Sequence, residues 1–354
     1  MKKLLVIKRD KLGDMLISTV LFQALREELP YVELHVLASD YNAWVIRECS
    51  VVDKVFCFYR YGRGSRITRT FRNIKLWIKL VINRYDLAIV ANGEYSSRAC
   101  QKAKLIWPKR ILAFGPHPVH SRRLIMAPCS VGGHESNRLL SLVFIHSTIW
   151  QASHGEQLVK AYSAKIAPKY EPSCHAIAWA SRFRDRYNLS QYKYIVIGLG
   201  TRKQKRQLTA KQVNTWSKFF HAHYGVKTVL TWTPGAQQNR DYPGDDQYAA
   251  KVLAECDLGI VVPCAEPISE TVGLIWGAEW SIFPDSGLMH FAAASPGGVI
   301  GLFADPTNSP SPMQWHPLGA KAQWLVADHS VSEIALEQIT LKIERLRHQC
   351  EFAS

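Results

Sequence analysis

Short, continuously apolar runs recur along this 354-residue chain, each followed by a helical stretch, and they do so in two successive series. A strand buried on both faces reads as an unbroken apolar run and not as an alternation, so runs of this kind belong in a parallel sheet. In the first series LLVI (4–7), VELHVLA (32–38), KVFCF (54–58), LAIVAN (87–92) and RILAFG (110–115) read as strands. Gly13-Asp14 opens a helix carrying Ile17, Val20, Leu21, Ala24, Leu25 and Leu29, which Pro30 stops. Further helices fall at 65–83, 96–103 and 135–150. APKYEPSCH (167–175) has the proline content of a linker. The second series comprises KYIVIGLG (193–200), VKTVLTW (226–232), LGIVVP (258–263), EWSIFPD (279–285) and GGVIGLF (297–303), with helices between them. This order predicts an α/β protein of two Rossmann-like α/β/α domains facing a central cleft, over 1–170 and 171–330. A helix within 331–354, amphipathic through Ala335, Leu336, Ile339, Ile343 and Leu346, is expected to pack back toward the N-terminal domain. Ligands usually bind in such a cleft, outside the carboxyl ends of the strands.

Charge is distributed unevenly over these halves. The formal net charge is +15, with 44 Lys and Arg against 29 Asp and Glu. Residues 1–175 hold 27 basic and 13 acidic side chains, whereas residues 176–354 hold 17 and 16. Between Lys54 and Arg123 there are 16 basic residues and only two acidic ones, Asp86 and Glu94. A field that one-sided points to a polyanionic partner: nucleic acid, an anionic membrane surface or a phosphorylated glycan. No apolar run approaches the ~18–20 residues that span a bilayer. The opening MKKLLVIKRDKLGD is interrupted at Lys8, Arg9 and Asp10, too soon for a signal peptide, and the eight cysteines form no C-x-x-C pair. A cytoplasmic protein with reduced thiols is the expectation.

Chemistry-bearing residues gather at three strand ends. After the first strand, KRDKLGD sets Asp14 at or beside a helix N-terminus, where it is either a plain N-cap or a general base kept ionised by the helix dipole. After KYIVIGLG, the loop GLGTRKQKR carries Gly200, Thr201, Arg202, Lys203, Lys205 and Arg206, a set suited to a diphosphate. In PDSGLMHFAAA (284–294), Asp285 and Ser286 precede Gly287 at a helix start, and His290 lies one turn further on, making a second candidate phosphate or sugar site.

A basic helix is the fourth feature. Arg60, Arg63, Arg66, Arg69, Arg72 and Lys75 recur every third residue. Ile67, Phe71, Ile74, Ile78 and Val81 make an apolar stripe expected to pack on the sheet. Leu76, Trp77 and Leu80 fall outside it, among the charges, which is either the profile of a helix touching a membrane interface or a surface covered by a neighbouring helix.

These segments resemble the bacterial ADP-heptose:lipopolysaccharide heptosyltransferases, inverting glycosyltransferases of the GT-B fold. The resemblance runs nearly end to end. It rests on LLVIKRDKLGDMLISTVLFQALREELP (4–30), on FPDSGLMHFAAA (283–294) and on the trailing GLFADPTNSPSPMQWHPLG (301–319). It implies Asp14 as catalytic base, with Lys205 stabilising the leaving diphosphate. It also implies Gly200, Thr201, Lys205, Asp285, Ser286, Gly287 and His290 as donor-binding residues. Arg63, Arg66, Arg122, Arg123 and Arg138 are the candidates for holding an acidic, phosphorylated acceptor. One departure concerns the nucleoside: family members often place a Glu shortly after Trp-Gly, whereas TWTPGAQQ has Ala236 or Gln237 there.

What the resemblance implies is transfer of heptose from ADP-heptose to Kdo or heptose of the lipopolysaccharide inner core. ADP-heptose is the donor substrate, and no cofactor or metal is expected. Kdo-lipid A or the inner core would be the acceptor, and the enzyme a monomer held peripherally at the inner face of the cytoplasmic membrane. Two alternatives stand beside it: a basic nucleic-acid-binding or RNA-modifying protein, and a catalytically inactive lipopolysaccharide-binding relative.

Overall fold

A computed structural model of the chain describes residues 1–60, 65–92, 94–115, 119–120, 123–127, 133–145, 152–200, 203–239, 243–307 and 311–351. The chain divides into two compact units, Met1–Glu171 and Pro172–Ser354.

In the first unit, β1 (Lys3–Ile7) is the KLLVI run, with every residue after Lys3 buried. It is followed by α1 (Leu12–Ile17), α2 (Thr19–Glu28), β2 (Glu33–Ser39) and β3 (Lys54–Phe58). Next come α3 (Arg66–Ile82), β4 (Leu87–Val90), α4 (Ser97–Leu105), β5 (Arg110–Phe114), β6 (Val119–His120), β7 (Leu124–Ala127), α5 (Glu135–Ile145) and α6 (Ala152–Lys165). The helix expected to run unbroken from Gly13 to Leu29 is divided at Ser18, whose hydroxyl donates to the Asp14 carbonyl at 2.7 Å. Side-chain bonds of this kind compete with the helix ladder and bend it. The sheet order is β3-β2-β1-β4-β5-β7-β6, parallel throughout except for β6 against β7. The direction of strand addition reverses between β1 and β4.

In the second unit, α7 (Cys174–Tyr187) leads into β8 (Tyr194–Gly198), α8 (Ala210–Tyr224), β9 (Lys227–Thr231), α9 (Asp246–Leu253) and β10 (Val261–Cys264). Then follow α10 (Ile268–Trp276), β11 (Ser281–Pro284), α11 (Gly287–Ala293), β12 (Val299–Ala304), α12 (Pro312–Trp315), β13 (Ala322–Ala327) and α13 (Leu336–Glu351). The sheet is parallel, in the order β10-β9-β8-β11-β12-β13, and its reversal lies between β8 and β11. Local chemistry sets the helix ends: Thr209 and Gln212 form a reciprocal capping box on α8, and Gly225 closes that helix at φ 68°. At the end of β8, Gly198 is required by its neighbour, because a Cβ there would run into the Phe283 ring on β11.

The C-terminal helix α13 buries Ile339, Ile343 and Leu346 in the second unit's core with Trp216 and Phe220. Its apolar stripe fits the β12–β13 side of that sheet, where each buried aliphatic side chain contributes about 1.5–3 kcal/mol. On α3 the faces are exchanged against the sequence expectation. Leu76 and Leu80 enter the core with residues of β1, β3 and α4, whereas Ile67, Phe71, Ile74, Ile78 and Val81 are exposed. Among the described residues, no helix is long and apolar enough to cross a membrane.

Candidate active site

Both sheets reverse direction at strands whose carboxyl ends carry the singled-out residues, which is where open α/β sheets form their ligand crevices. In the first unit these ends are those of β1 and β4. Lys8, only 1% exposed, sets its Nζ 3.2 Å from the Asp10 carboxylate. Asn92, just past β4, donates to the same carboxylate at 3.1 Å, and Asn42 donates to the Asp10 carbonyl at 3.0 Å. A buried cation is tolerated here because it is paired with a carboxylate that Asn92 also holds by hydrogen bonds.

Asp14 lies in the first turn of α1, and the N-cap position is taken by Lys11. Burial is the largest influence on the Asp14 carboxyl and raises its proton affinity; Asp10 adds to this, while Lys8, Lys11 and a hydrogen bond from the Lys11 amide oppose it. The outcome is a more basic carboxylate than an exposed one, set beside a lysine that favours its ionised form.

A group of cations lies on the same side of this sheet; of its members only Arg60 was singled out in the sequence, and Arg9, Arg98 and Lys102 were not. Arg9, after β1, and Lys102, on α4, share the Phe58 ring at 4.7 and 5.0 Å from its centroid. Burial first, and then Arg9, Arg60 and Arg98, bring the Lys102 ammonium down to about 8. Arg9 is likewise lowered by burial, with Arg60 acting in the same direction. Four like charges held this close, one on a half-buried lysine, make a site for a polyanion. Their sequence separations of up to 93 residues leave no local pattern to read, because only the pairing of β3, β2, β1 and β4 brings them together.

The expected acceptor residues do not all converge. Arg63 and Arg122 lie outside the described residues. Arg66 opens α3 and is exposed. Arg138, on α5, reaches Glu94 after β4 at 3.7 Å, and its Nε is buried with no hydrogen-bond partner in the described structure. Arg123 stands instead at the amino end of β7, with its guanidinium over the Trp107 ring at 4.6 Å. That is the opposite edge of the sheet from Asp14, so Arg123 does not join the group.

In the second unit the strand ends are tied by ion pairs. Lys205 and Arg206 sit in a short 3-10 turn, Gln204–Arg206, after β8. Lys205 pairs with Asp305, just past β12. Arg206 Nη1 lies 2.7 Å from Asp285 Oδ2, just past β11. Asp305 also accepts from the Thr307 hydroxyl at 2.9 Å. Ser286 is the N-cap of α11, which begins at Gly287. His290 is buried on that helix, and burial together with His316 pushes its imidazole down to about 4, so the ring is neutral near pH 7. Thr201 lies outside the described residues. Asp305 is the partner that sequence reasoning did not single out; the basic run 202–206 marked Lys205 and Arg206 but not which carboxylates they would meet.

Gly200 lies against the loops that follow β9. A Cβ there would be 3.6 Å from Thr233 Oγ1 and 3.9 Å from Asp245 Oδ2. A pocket of about 190 Å³ adjoins this point, lined among others by Gln207, Gln237, Asp245, Tyr248 and Lys251. Asp246, next along, is held within its own loop by the Trp232 indole at 2.8 Å and the Gly235 amide at 2.9 Å. So although Ala236 and Gln237 replace the expected glutamate, a carboxylate from the start of α9 faces the Gly200 loop.

Comparison with known proteins gives a consistent result. The sequence profile of glycosyltransferase family 9 (heptosyltransferase) matches residues 127–340. The fold is similar to that of E. coli ADP-heptose lps heptosyltransferase II, with a TM-score of 0.74 at 18% identity over 99% of this chain and 100% of that one. It is also similar to a glycosyl transferase family 9 protein from Veillonella parvula, with a TM-score of 0.75 at 15% identity over 98% and 97% of the two chains. E. coli heptosyltransferase WaaC, in a structure with ADP, matches with a TM-score of 0.70 at 16% identity over 97% and 99%. No curated protein sequence matches the chain significantly. These structural likenesses give the fold, GT-B, and nothing finer.

Proposed function

The chain belongs to glycosyltransferase family 9, the heptosyltransferase family, and on that premise we propose that it transfers heptose from ADP-heptose to the inner core of lipopolysaccharide. The observation that carries the mechanism is Asp14, a carboxylate made more basic by burial at the carboxyl end of β1. It takes the proton from an acceptor hydroxyl; the oxygen attacks the anomeric carbon of the donor, and the bond from that carbon to the diphosphate breaks. The configuration inverts, and ADP leaves with the electron pair. A positioned base of this kind supplies about 10²–10⁴-fold in rate.

Lys205, with Arg206 beside it, meets the charge that develops on the departing diphosphate, together with the backbone around Gly200 and the start of α11. Preformed cations can do this work without a divalent ion. The pocket lined by Gln237, Asp245 and Tyr248 receives the nucleoside, with Asp245 accepting from ribose in place of the glutamate common in the family. Arg9, Arg60, Arg98, Lys102 and Arg138 hold the carboxylates and phosphates of a Kdo-containing acceptor. Since that acceptor is lipid-borne, the enzyme works as a peripheral monomer at the cytoplasmic face of the inner membrane.

The test is direct. Purified protein is incubated with ADP-heptose and lipopolysaccharides truncated before or after the first heptose, and the products are weighed by mass spectrometry. A gain of one heptose on one of these acceptors is expected. No gain on any of them, alongside transfer from another nucleotide sugar, would replace the donor in this account.

A further inference from the structure

Helix α3 is held to its sheet by one face only. Leu76 and Leu80 are buried, Trp77 meets the Phe58 ring edge-on, and Asn73 exchanges two 2.9 Å hydrogen bonds with the Tyr59 backbone. On the opposite side Ile67, Phe71, Ile74, Ile78, Val81 and Ile82 are between 42% and 71% exposed. At about 100° per residue these six side chains fall within an arc of about 100°, along a helix about 25 Å long. Apolar patches of this extent on a folded surface mark interaction sites.

The charge around the stripe selects its partner. Arg72, Lys75 and Lys79 line one flank and Arg66 the other, α3 contains no acidic residue, and among the described residues these four cations form no ion pair. Helix α4, on the same face of the sheet, adds Arg98, Lys102 and Lys104 and again no acid. A second copy docked through this face would set like charges against like. An anionic bilayer surface matches both features, taking apolar side chains at the acyl boundary and basic ones among the headgroups. Leu105 and Trp107, at the end of α4, are also exposed, and with Ile82 they stand at the amino edge of the sheet. Tryptophan suits that interfacial depth.

We propose that the outer face of α3 is a membrane-docking surface, inserting Phe71, Ile74 and Ile78 into an anionic phospholipid leaflet while Arg72, Lys75 and Lys79 bind its headgroups. This deepens the reading of a lipid-borne acceptor and rests on that reading only for its purpose. The docking itself needs neither donor nor acceptor.

The experiment is cosedimentation of the full-length protein with phosphatidylcholine vesicles, with or without phosphatidylglycerol. Wild type is expected to bind the anionic vesicles about tenfold more tightly than the neutral ones. F71Q/I78Q is expected to weaken that binding about tenfold or more, and K75Q/K79Q to remove the preference for anionic lipid. Circular dichroism and Tm report whether each variant is folded, and transfer to a deacylated acceptor should be unchanged in both. Wild type that ignores anionic vesicles, or folded F71Q/I78Q that binds as wild type does, would overturn the proposal. So would a wild-type dimer that F71Q/I78Q dissociates, since that would assign the face to a second copy. Vesicle binding without heptose transfer would overturn the substrate reading alone.

Discussion

Arg206 and Asp285 meet at 2.7 Å with each side chain only 10% exposed, tying the turn after β8 to the end of β11 at the point where the second sheet reverses. Removing one partner leaves a buried charge uncompensated, which typically costs about 3–5 kcal/mol. Arg206→Met should therefore lower the midpoint of urea unfolding by that amount of stability, and Arg206→Lys should recover only part of it. A loss below about 1 kcal/mol would mean that the pair is solvated in the folded protein.

Lys205 has a different task. Its partner Asp305 is held from below by Thr307, and both lysine and aspartate remain partly open to solvent. Lys205→Met should leave Tm nearly unchanged while weakening ADP binding about 10–100-fold, the size of a charge-assisted hydrogen bond to phosphate. Calorimetric titration with ADP checks this, and unchanged affinity would remove Lys205 from the donor site.

The cation group around Phe58 predicts a pH dependence. With Lys102 lowered to about 8, its charge is present below that pH and lost as pH rises through it. An anionic acceptor binds the charged form, so KM for the acceptor should rise above pH about 8 while KM for the donor stays level. Lys102→Met should raise the acceptor KM at pH 7 and flatten the profile. A profile shared by donor and acceptor would argue against this assignment.

The strands and their parallel pairing were legible because unbroken apolar runs have few other uses, and KVFCF at 54–58 matches β3 residue for residue. Helix α3 shows where periodicity stops helping. It has two apolar sectors, and hydrophobicity cannot tell which faces the core; the larger sector is outside, and the pair Leu76 and Leu80 is inside. The basic turn after β8 was legible from its charge run and the acid after β11 from its helix start. That Arg206 meets Asp285 and Lys205 meets Asp305, 79 and 100 residues away, follows only from the order of strands in the sheet. The place of Arg123 follows from strand order in the same way: β7 runs parallel to β5, which sets Arg123 at the amino edge of the sheet.

The central claim is that Asp14 removes the proton from the acceptor hydroxyl. The most direct measurement is the heptose-transfer rate of Asp14→Asn beside wild type, with ADP affinity and Tm determined for both. The account predicts that kcat falls about 10²–10⁴-fold with ADP affinity and folding preserved. Because burial raises the Asp14 carboxyl, the wild-type rate should climb as pH rises through that elevated value, and the variant should lose this limb. Transfer by folded Asp14→Asn at the wild-type rate would contradict it.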